Sequence, residues 1–205
     1  MHMLRVNHKD FDYLVGSQLE GFDTMVKFSE APIMVIEGDE YLTSALDPVP
    51  KFHKYKPQIA LLTGVAWDHI NVFPTFDNYV EQFKIFIDSM GDSGQLAYFS
   101  GDPILVKLAS EAKLKTVAYN TPHYHIRNGK VVVSLSERYE LEIFGEHNLQ
   151  NAEGARRVCE MIGIDEKSFY QALGSFKGTA KRLEKVHESA NLLVFRDFAH
   201  SPSKL

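Results

Sequence analysis

Short apolar runs alternate along this chain with longer segments that carry apolar residues at a helical period. This alternation constrains the fold more than any other feature of the sequence. The runs Phe11 to Val15, Ile33 to Ile36, Ile59 to Val65, Gln95 to Phe99 and Lys115 to Ala118 read as strands. Between and after them, Tyr79, Val80, Phe83, Phe86 and Ile87 share one face of a helix predicted over Phe76 to Met90, with Thr75 as its N-cap. A second helix is predicted over Asp102 to Ala112, with Pro103 in its first turn, where a missing N–H costs nothing. A third runs from Asn148 to Ile162 and stops at Gly163, and a fourth covers Asp165 to Leu173 with Asp165 as N-cap. Strands alternating with helices imply an α/β fold with a mostly parallel central sheet flanked by helices. Lys130 to Leu135 and Tyr139 to Ile143 alternate apolar with polar residues and predict a small antiparallel subsheet. A last strand is predicted over Asn191 to Phe195.

Composition limits the partners. With 205 residues, 44% of them hydrophobic, the chain can build one substantial core or one domain plus the beginning of another. The formal net charge is -5 and no long basic run exists, which argues against nucleic acid as a partner. No apolar run reaches a membrane span, and His8, Lys9 and Asp10 interrupt any secretory h-region. Cys159, the one cysteine, lies in an amphipathic helical stretch and is expected to be a buried structural thiol. A soluble, cytoplasmic protein that needs no membrane is the expectation.

Polar clusters punctuate the ends of the apolar runs. Glu37-Gly38-Asp39-Glu40 follows one strand and offers hard oxygen donors suited to Mg²⁺, or else forms a solvated acidic turn. Asp68-His69 follows the next apolar strand and could hold a metal or orient a phosphate, or be structural. In open α/β sheets ligands bind beyond the carboxyl ends of strands, where both clusters fall. His147-Asn148-Leu149-Gln150-Asn151 opens a helix and puts Asn148 and Asn151 on one face. Their amides match the donor and acceptor edge of adenine, although capping alone would explain one of them. Lys177-Gly178-Thr179-Ala180-Lys181-Arg182 gathers cations around a glycine and could grip phosphate or ribose oxygens, or be an exposed basic loop. Asp197-Phe198-Ala199-His200-Ser201-Pro202 follows the last strand. A serine hydrolase built on Ser201, His200 and Asp197 lacks the Gly-x-Ser-x-Gly elbow.

In this order the clusters resemble those of the Mur ligases, which build peptidoglycan precursors with ATP. Glu37-Gly38-Asp39-Glu40 resembles that family's Glu-x-Asp-Glu, Asp68-His69 its Asp-His, and His147 to Asn151 its His-Asn-x-x-Asn. Gly178 to Arg182 resembles its Gly-x-x-Arg-Arg, and Asp197 to Pro202 its Asp-Tyr-Ala-His-x-Pro. The departures are Ala66, Asn71, Lys181, Phe198 and Ser201. The resemblance implies that Glu37 binds a Mg²⁺ bridging ATP phosphates and that His69 binds Mg²⁺ or orients an acyl phosphate. It also implies that His147, Asn148 and Asn151 read adenine, that Arg182 contacts nucleotide, and that Asp197 contacts ribose. Glu37, His69 and Arg182 would be the catalytic set.

The implied substrates are UDP-N-acetylmuramate and an amino acid or peptide. Lys51-Phe52-His53-Lys54-Tyr55-Lys56-Pro57 resembles a segment of members that add the peptide L-Ala-γ-D-Glu-meso-diaminopimelate, whereas members that add L-alanine usually lack it. The implied domains are 1-190, a central ATP-binding domain, and 191-205, the start of a C-terminal domain. No Gly-x-x-Gly-Lys-Thr phosphate loop occurs in the sequence. The chain alone is therefore expected to be inactive and to hold nucleotide weakly, and a non-catalytic nucleotide-binding module is the competing expectation.

Overall fold

A computed structural model describes residues 1–16, 22–135, 137–143, 145–176, 178 and 184–196, the side chains of Glu184 and Lys185 excepted. The chain opens on a short helix, α1 (His2–Val6). Strand β1 (Asp12–Leu14) pairs in parallel with β3 (Met34–Ile36) and antiparallel with β2 (Val26–Lys27). A second sheet holds β4 (Ile59–Leu62), β5 (Gln95–Phe99) and β6 (Lys115–Tyr119), parallel and in that order. Helix α2 (Phe76–Ser89) joins β4 to β5, and α3 (Pro103–Glu111) joins β5 to β6. Then β7 (Tyr124–Arg127), β8 (Lys130–Ser134) and β9 (Arg138–Leu141) form an antiparallel sheet. Helices α4 (Glu146–Met161) and α5 (Glu166–Leu173) follow, and β10 (Glu184–Ser189) pairs antiparallel with β11 (Leu192–Arg196). The mixed α/β fold with a parallel sheet and small antiparallel sheets is the one the strand and helix pattern predicts.

Strand periodicity explains how the parallel sheet is covered. Ala60, Leu62, Leu96 and Tyr98 pack in a cluster with Phe83, Phe86 and Ile87 of α2 and Leu105 and Leu108 of α3. The alternate residue Leu61 meets α4 instead, because side chains on a strand alternate between faces. Gly154 makes that approach possible. A Cβ there would stand 2.8 Å from Tyr119 Cζ and 3.0 Å from Leu61 Cδ1. A second cluster joins Leu4 of α1, Tyr13 of β1, Val133 of β8 and Leu141 of β9 to Leu149 of α4 and Phe169 of α5. Cys159 belongs to this cluster, and burial pushes its thiol up to about 11, as expected of a structural cysteine.

The expected caps are present. Thr75 accepts from Asn78 N–H at 3.1 Å, Pro103 stands in the first turn of α3, and Asp165 accepts from Ser168 N–H at 2.8 Å. Helix α4 begins at Glu146 rather than Asn148. Its N-cap is Gly145, whose φ of 85° turns the chain without a side-chain cap. Asn148 is thus inside the helix, and capping does not account for it.

Strand β4 stops at Leu62, short of the expected Val65. Val65 N–H instead donates to Asp102 Oδ2 at 2.7 Å. The same carboxylate caps α3 by accepting from Ile104 and Leu105 N–H at 2.8 and 3.2 Å. One side chain thereby ties the loop after β4 to the helix after β5. Asp102→Ala should cost about 1–2 kcal/mol in a urea melt, since it removes a cap and leaves Val65 N–H without its partner. An unchanged midpoint would show that neither bond contributes.

Strands β2, β7 and β10 were not predicted. Each residue of β7 is exposed, so the alternation of Tyr124 and Ile126 with His125 and Arg127 marks no buried face. Its turn is marked, however. Asn128 and Gly129 have φ of 51° and 76°, and the Asn-Gly pair is a strong two-residue hairpin signal. The expected boundary at 190/191 falls in the turn between β10 and β11.

Candidate functional site

The residues singled out in the sequence fall at strand ends and at one helix start. Glu37 follows β3 directly and is exposed. Its N–H donates to Leu14 O at 2.9 Å, and its Oε2 accepts from Gly16 N–H at 2.7 Å. The carboxylate is therefore held at the ends of the paired strands β1 and β3. Asp39 turns back on its own loop, accepting from Tyr41 N–H at 2.9 Å and from Lys51 Nζ at 2.7 Å. That bond raises the Lys51 pKa, with burial opposing and the Asp39 charge assisting.

Glu40 goes elsewhere. Its Oε1 lies 3.4 Å from His69 Nε2 and accepts from the Tyr79 hydroxyl at 3.3 Å. Tyr79 is a buried residue of α2, packed edge-on against Phe83. Burial first, then the Glu40 charge and its hydrogen bond, push the Tyr79 hydroxyl well above its usual pKa, so it stays a donor. His69 sits in the loop after β4 with a φ of 55°, uncommon for a residue with a side chain. Its N–H donates to Asp68 Oδ1 at 2.8 Å, and its ring lies 4.2 Å from the Tyr41 ring. The loop is closed by Val72 and Phe73 N–H donating to His69 O and by Trp67 Nε1 donating to Phe73 O at 3.1 Å.

Segment 51–54 forms a 3-10 turn beside these groups. Phe52 docks it on Phe83 and Phe86 of α2, and His53 Nε2 lies 2.8 Å from Gln82 O.

At the far strand of the parallel sheet, the residues after β6 meet the first turn of α4. Gln150 Nε2 donates to Thr121 Oγ1 at 3.0 Å, and Thr121 Oγ1 donates to Glu146 Oε1 at 3.3 Å. His147 and Asn151 are exposed and Asn148 is half-buried, while Leu149 between them is fully buried. The helix start is thus anchored by Leu149 and Gln150 and leaves the other three side chains near solvent.

The structure brings Glu40, His69, Tyr41 and Tyr79 together from the β3 end, the β4 end and α2. Among the described residues it does not join Glu37 to His69 by a hydrogen bond or ion pair. Lys177, Lys181, Arg182, Asp197 and His200 lie outside the described residues. Sequence reasoning missed the pairing of Glu40 with His69 and read Tyr79 as core alone. The shared Glu-x-Asp-Glu cluster was the available signal, but it does not say which carboxylate faces the histidine.

No group of three or more His, Cys, Asp or Glu side chains that could hold a metal occurs among the described residues. Glu37 and Glu40 offer carboxylate oxygens and His69 a ring nitrogen at the ends of β3 and β4. They do fit Mg²⁺ of the kind bound through one or two protein groups, with substrate phosphates and water completing the shell. No described helix is long and apolar enough to cross a membrane.

Comparison with known proteins decides the family. The profile of the Mur ligase middle domain matches residues 20–159. The chain belongs to the Mur ligase family. A UDP-N-acetylmuramate–L-alanine ligase of Porphyromonas gingivalis is 26% identical over 218 residues, covering 100% of this chain and 46% of that protein. The UDP-N-acetylmuramate–L-alanyl-γ-D-glutamyl-meso-2,6-diaminoheptandioate ligase of Haemophilus influenzae is 25% identical over 219 residues, covering 99% of this chain and 47% of that protein. The crystal structure of UDP-N-acetylmuramate:L-alanyl-γ-D-glutamyl-meso-diaminopimelate ligase from Neisseria meningitides superposes with a TM-score of 0.76 at 22% identity, covering 86% of this chain and 60% of that one. This Mur ligase chain spans about half the length of the curated relatives it matches.

Proposed function

We propose that this Mur ligase chain is the metal- and adenine-facing part of an ATP-dependent ligase that joins L-Ala-γ-D-Glu-meso-diaminopimelate to UDP-N-acetylmuramate in the cytoplasm. The observation that carries the reading is the placement of Glu37 and His69 just beyond β3 and β4, with Asn148 and Asn151 on the helix anchored beyond β6. Glu37 lies past the end of β3, in the sheet with β1, and His69 in the loop after β4, in the other sheet; the contact of Glu40 with His69 brings the two loops together, and ligands of open α/β sheets bind beyond the carboxyl ends of strands.

ATP and its Mg²⁺ supply the phosphoryl group that activates the UDP-N-acetylmuramate carboxylate, and the amine of the peptide then displaces phosphate. Glu37 offers one carboxylate oxygen for the metal while Gly16 N–H holds the other. His69 faces the metal or the acyl phosphate from the next strand end. The amides of the half-buried Asn148 and the exposed Asn151 would hydrogen-bond adenine. Arg182 and Asp197, outside the described residues, would contact nucleotide and ribose, as the resemblance to the family implies.

Segment 51–57 supports the peptide rather than L-alanine as acceptor. It is packed on α2 and its Lys51 reaches Asp39, so it belongs to the site's own wall. The L-alanine-adding reading is favoured by the relatives of that activity, including the one from Porphyromonas gingivalis. Phosphate release by the full-length protein, with ATP, Mg²⁺ and UDP-N-acetylmuramate, separates the two. Release that depends on the tripeptide supports the proposal. Release with L-alanine alone transfers it to the second reading, and binding of ATP without release with either acceptor rejects both. The present chain alone, lacking a Gly-x-x-Gly-Lys-Thr loop, is expected to release none.

A further inference from the structure

The structure makes a division of labour within the acidic cluster that the motif does not express. Glu37 is held by Gly16 N–H, whereas Glu40 is the carboxylate beside the histidine, 3.4 Å from His69 Nε2. We propose that Glu40 and Tyr79 are positioning residues for His69. The Tyr79 hydroxyl holds Glu40, Glu40 accepts from His69 Nε2–H, and Nδ1, which has Asp68 Oδ1 at 3.9 Å and so beyond hydrogen-bonding distance, is the nitrogen that meets ligand. The assignment rests on the reading of His69 as metal- or phosphate-facing.

Three observations converge. First, the anchor is rigid: Tyr79 is 3% exposed and packs against Phe73 and Phe83 with ring centroids 5.3 and 5.1 Å away. Its hydroxyl reaches out of that core to Glu40 Oε1. Second, His69 is restrained independently of Glu40. Its backbone stands at a φ of 55°, its N–H is bound by Asp68, and its ring packs on Tyr41. A left-handed residue with a β-carbon is held there only by its surroundings. Third, the arrangement has a chemical logic. A histidine that uses one ring nitrogen for a ligand commonly donates the other N–H to a carboxylate, which fixes the tautomer and ring orientation.

Glu40 and His69 side chains are 29% and 23% exposed, so the pair is accessible on one side but not freely solvated. A carboxylate with a purely solvating role would not need a buried tyrosine as its second partner.

Two-bond ¹H–¹⁵N spectra of the imidazoles of this chain, without nucleotide or metal, test the proposal directly. In the unaltered chain at alkaline pH, His69 is expected to carry its proton on Nε2, with well-separated ring nitrogen shifts. Glu40→Ala should draw those shifts together towards the values of a solvated imidazole. Tyr79→Phe should move them the same way by less, and Glu40→Gln, which keeps an acceptor oxygen, should restore most of the separation. Should Glu40→Ala not fold, the other two variants carry the same readout. A His69 protonated on Nδ1, or variants whose His69 signals overlay the unaltered spectrum, would overturn the assignment.

In the full-length protein, Glu40→Ala should raise the Mg²⁺ concentration for half-activation about 10–100-fold, with Glu40→Gln closer to the parent. No change in that concentration would also overturn it. Absence of ligase activity from the full-length protein would count against the functional reading alone, because the imidazole spectra need no turnover.

Discussion

Glu153→Ala should destabilise this domain by about 3–5 kcal/mol, a large fraction of what holds a domain folded. Glu153 and Arg156 stand one turn apart on α4, and both side chains are 7% exposed. Arg156 Nε and Nη2 donate to the two Glu153 oxygens at 2.8 and 2.6 Å in a forked pair. The Tyr170 hydroxyl of α5 donates to Glu153 Oε2 at 3.2 Å, and Arg157 Nε lies 3.2 Å from Oε1. Removing Glu153 therefore strands a buried guanidinium and a buried hydroxyl together. Such a loss costs far more than the net worth of the pair, because desolvation of Arg156 is no longer offset. Glu160 Oε2 accepts from Arg156 Nη1 only at a long 3.5 Å and Glu166 lies 3.8 Å away, so neither replaces a two-pronged bond. Urea denaturation of Glu153→Ala measures the cost. Glu153→Leu combined with Arg156→Met should recover most of it, since replacing both partners by apolar groups removes the stranded charge. A cost below about 1 kcal/mol for Glu153→Ala would mean that the pair behaves like a surface salt bridge.

The largest effect on activity is expected at Glu37. In the full-length protein, Glu37→Gln should lower turnover by about 10²–10³-fold, the scale of losing one preorganised electrostatic contact to a reacting phosphoryl group. Stability should move by no more than about 0.5 kcal/mol, because the residue is exposed and glutamine keeps an oxygen for Gly16 N–H. On the proposed function the loss would appear in kcat, with KM for the proposed peptide acceptor little changed, since Glu37 would act on charge that develops during transfer. Steady-state phosphate release at varied peptide concentration separates the two terms. Turnover within about twofold of the parent would remove Glu37 from the catalytic set.

Much of the fold was legible because its signals are local. The apolar runs of β4, β5 and β6, the periodic face of α2, and the caps Thr75, Pro103 and Asp165 each lie within a few residues of what they organise. Where a signal was not of the expected kind, the prediction slipped. Helix α4 starts two residues early because a glycine at positive φ replaced a side-chain cap, and the alternation in β7 spans only four residues, none of them buried. The site divides the same way. Strand ends followed by Glu37 and by Asp68-His69 are visible as motifs. The bond from Tyr79 to Glu40 spans 39 positions and that from Val65 to Asp102 spans 37, and neither leaves a trace in local spacing. Tyr79 was hidden further because its ring fits the apolar face of α2, which accounts for the residue without its hydroxyl.

The β10–β11 ribbon has a consequence for how the molecule breathes. Leu192, Leu193, Val194 and Phe195 are all exposed, so the ribbon gains little from burial, and a two-stranded ribbon is marginal by its own hydrogen bonds. Val133 in β8, Leu149 in α4 and Phe169 in α5 are wholly enclosed. Amide exchange should therefore run in two regimes. Deuterium enters the ribbon through openings that leave the rest intact, whereas the amides around Val133, Leu149 and Phe169 wait for the cooperative loss of their whole cluster.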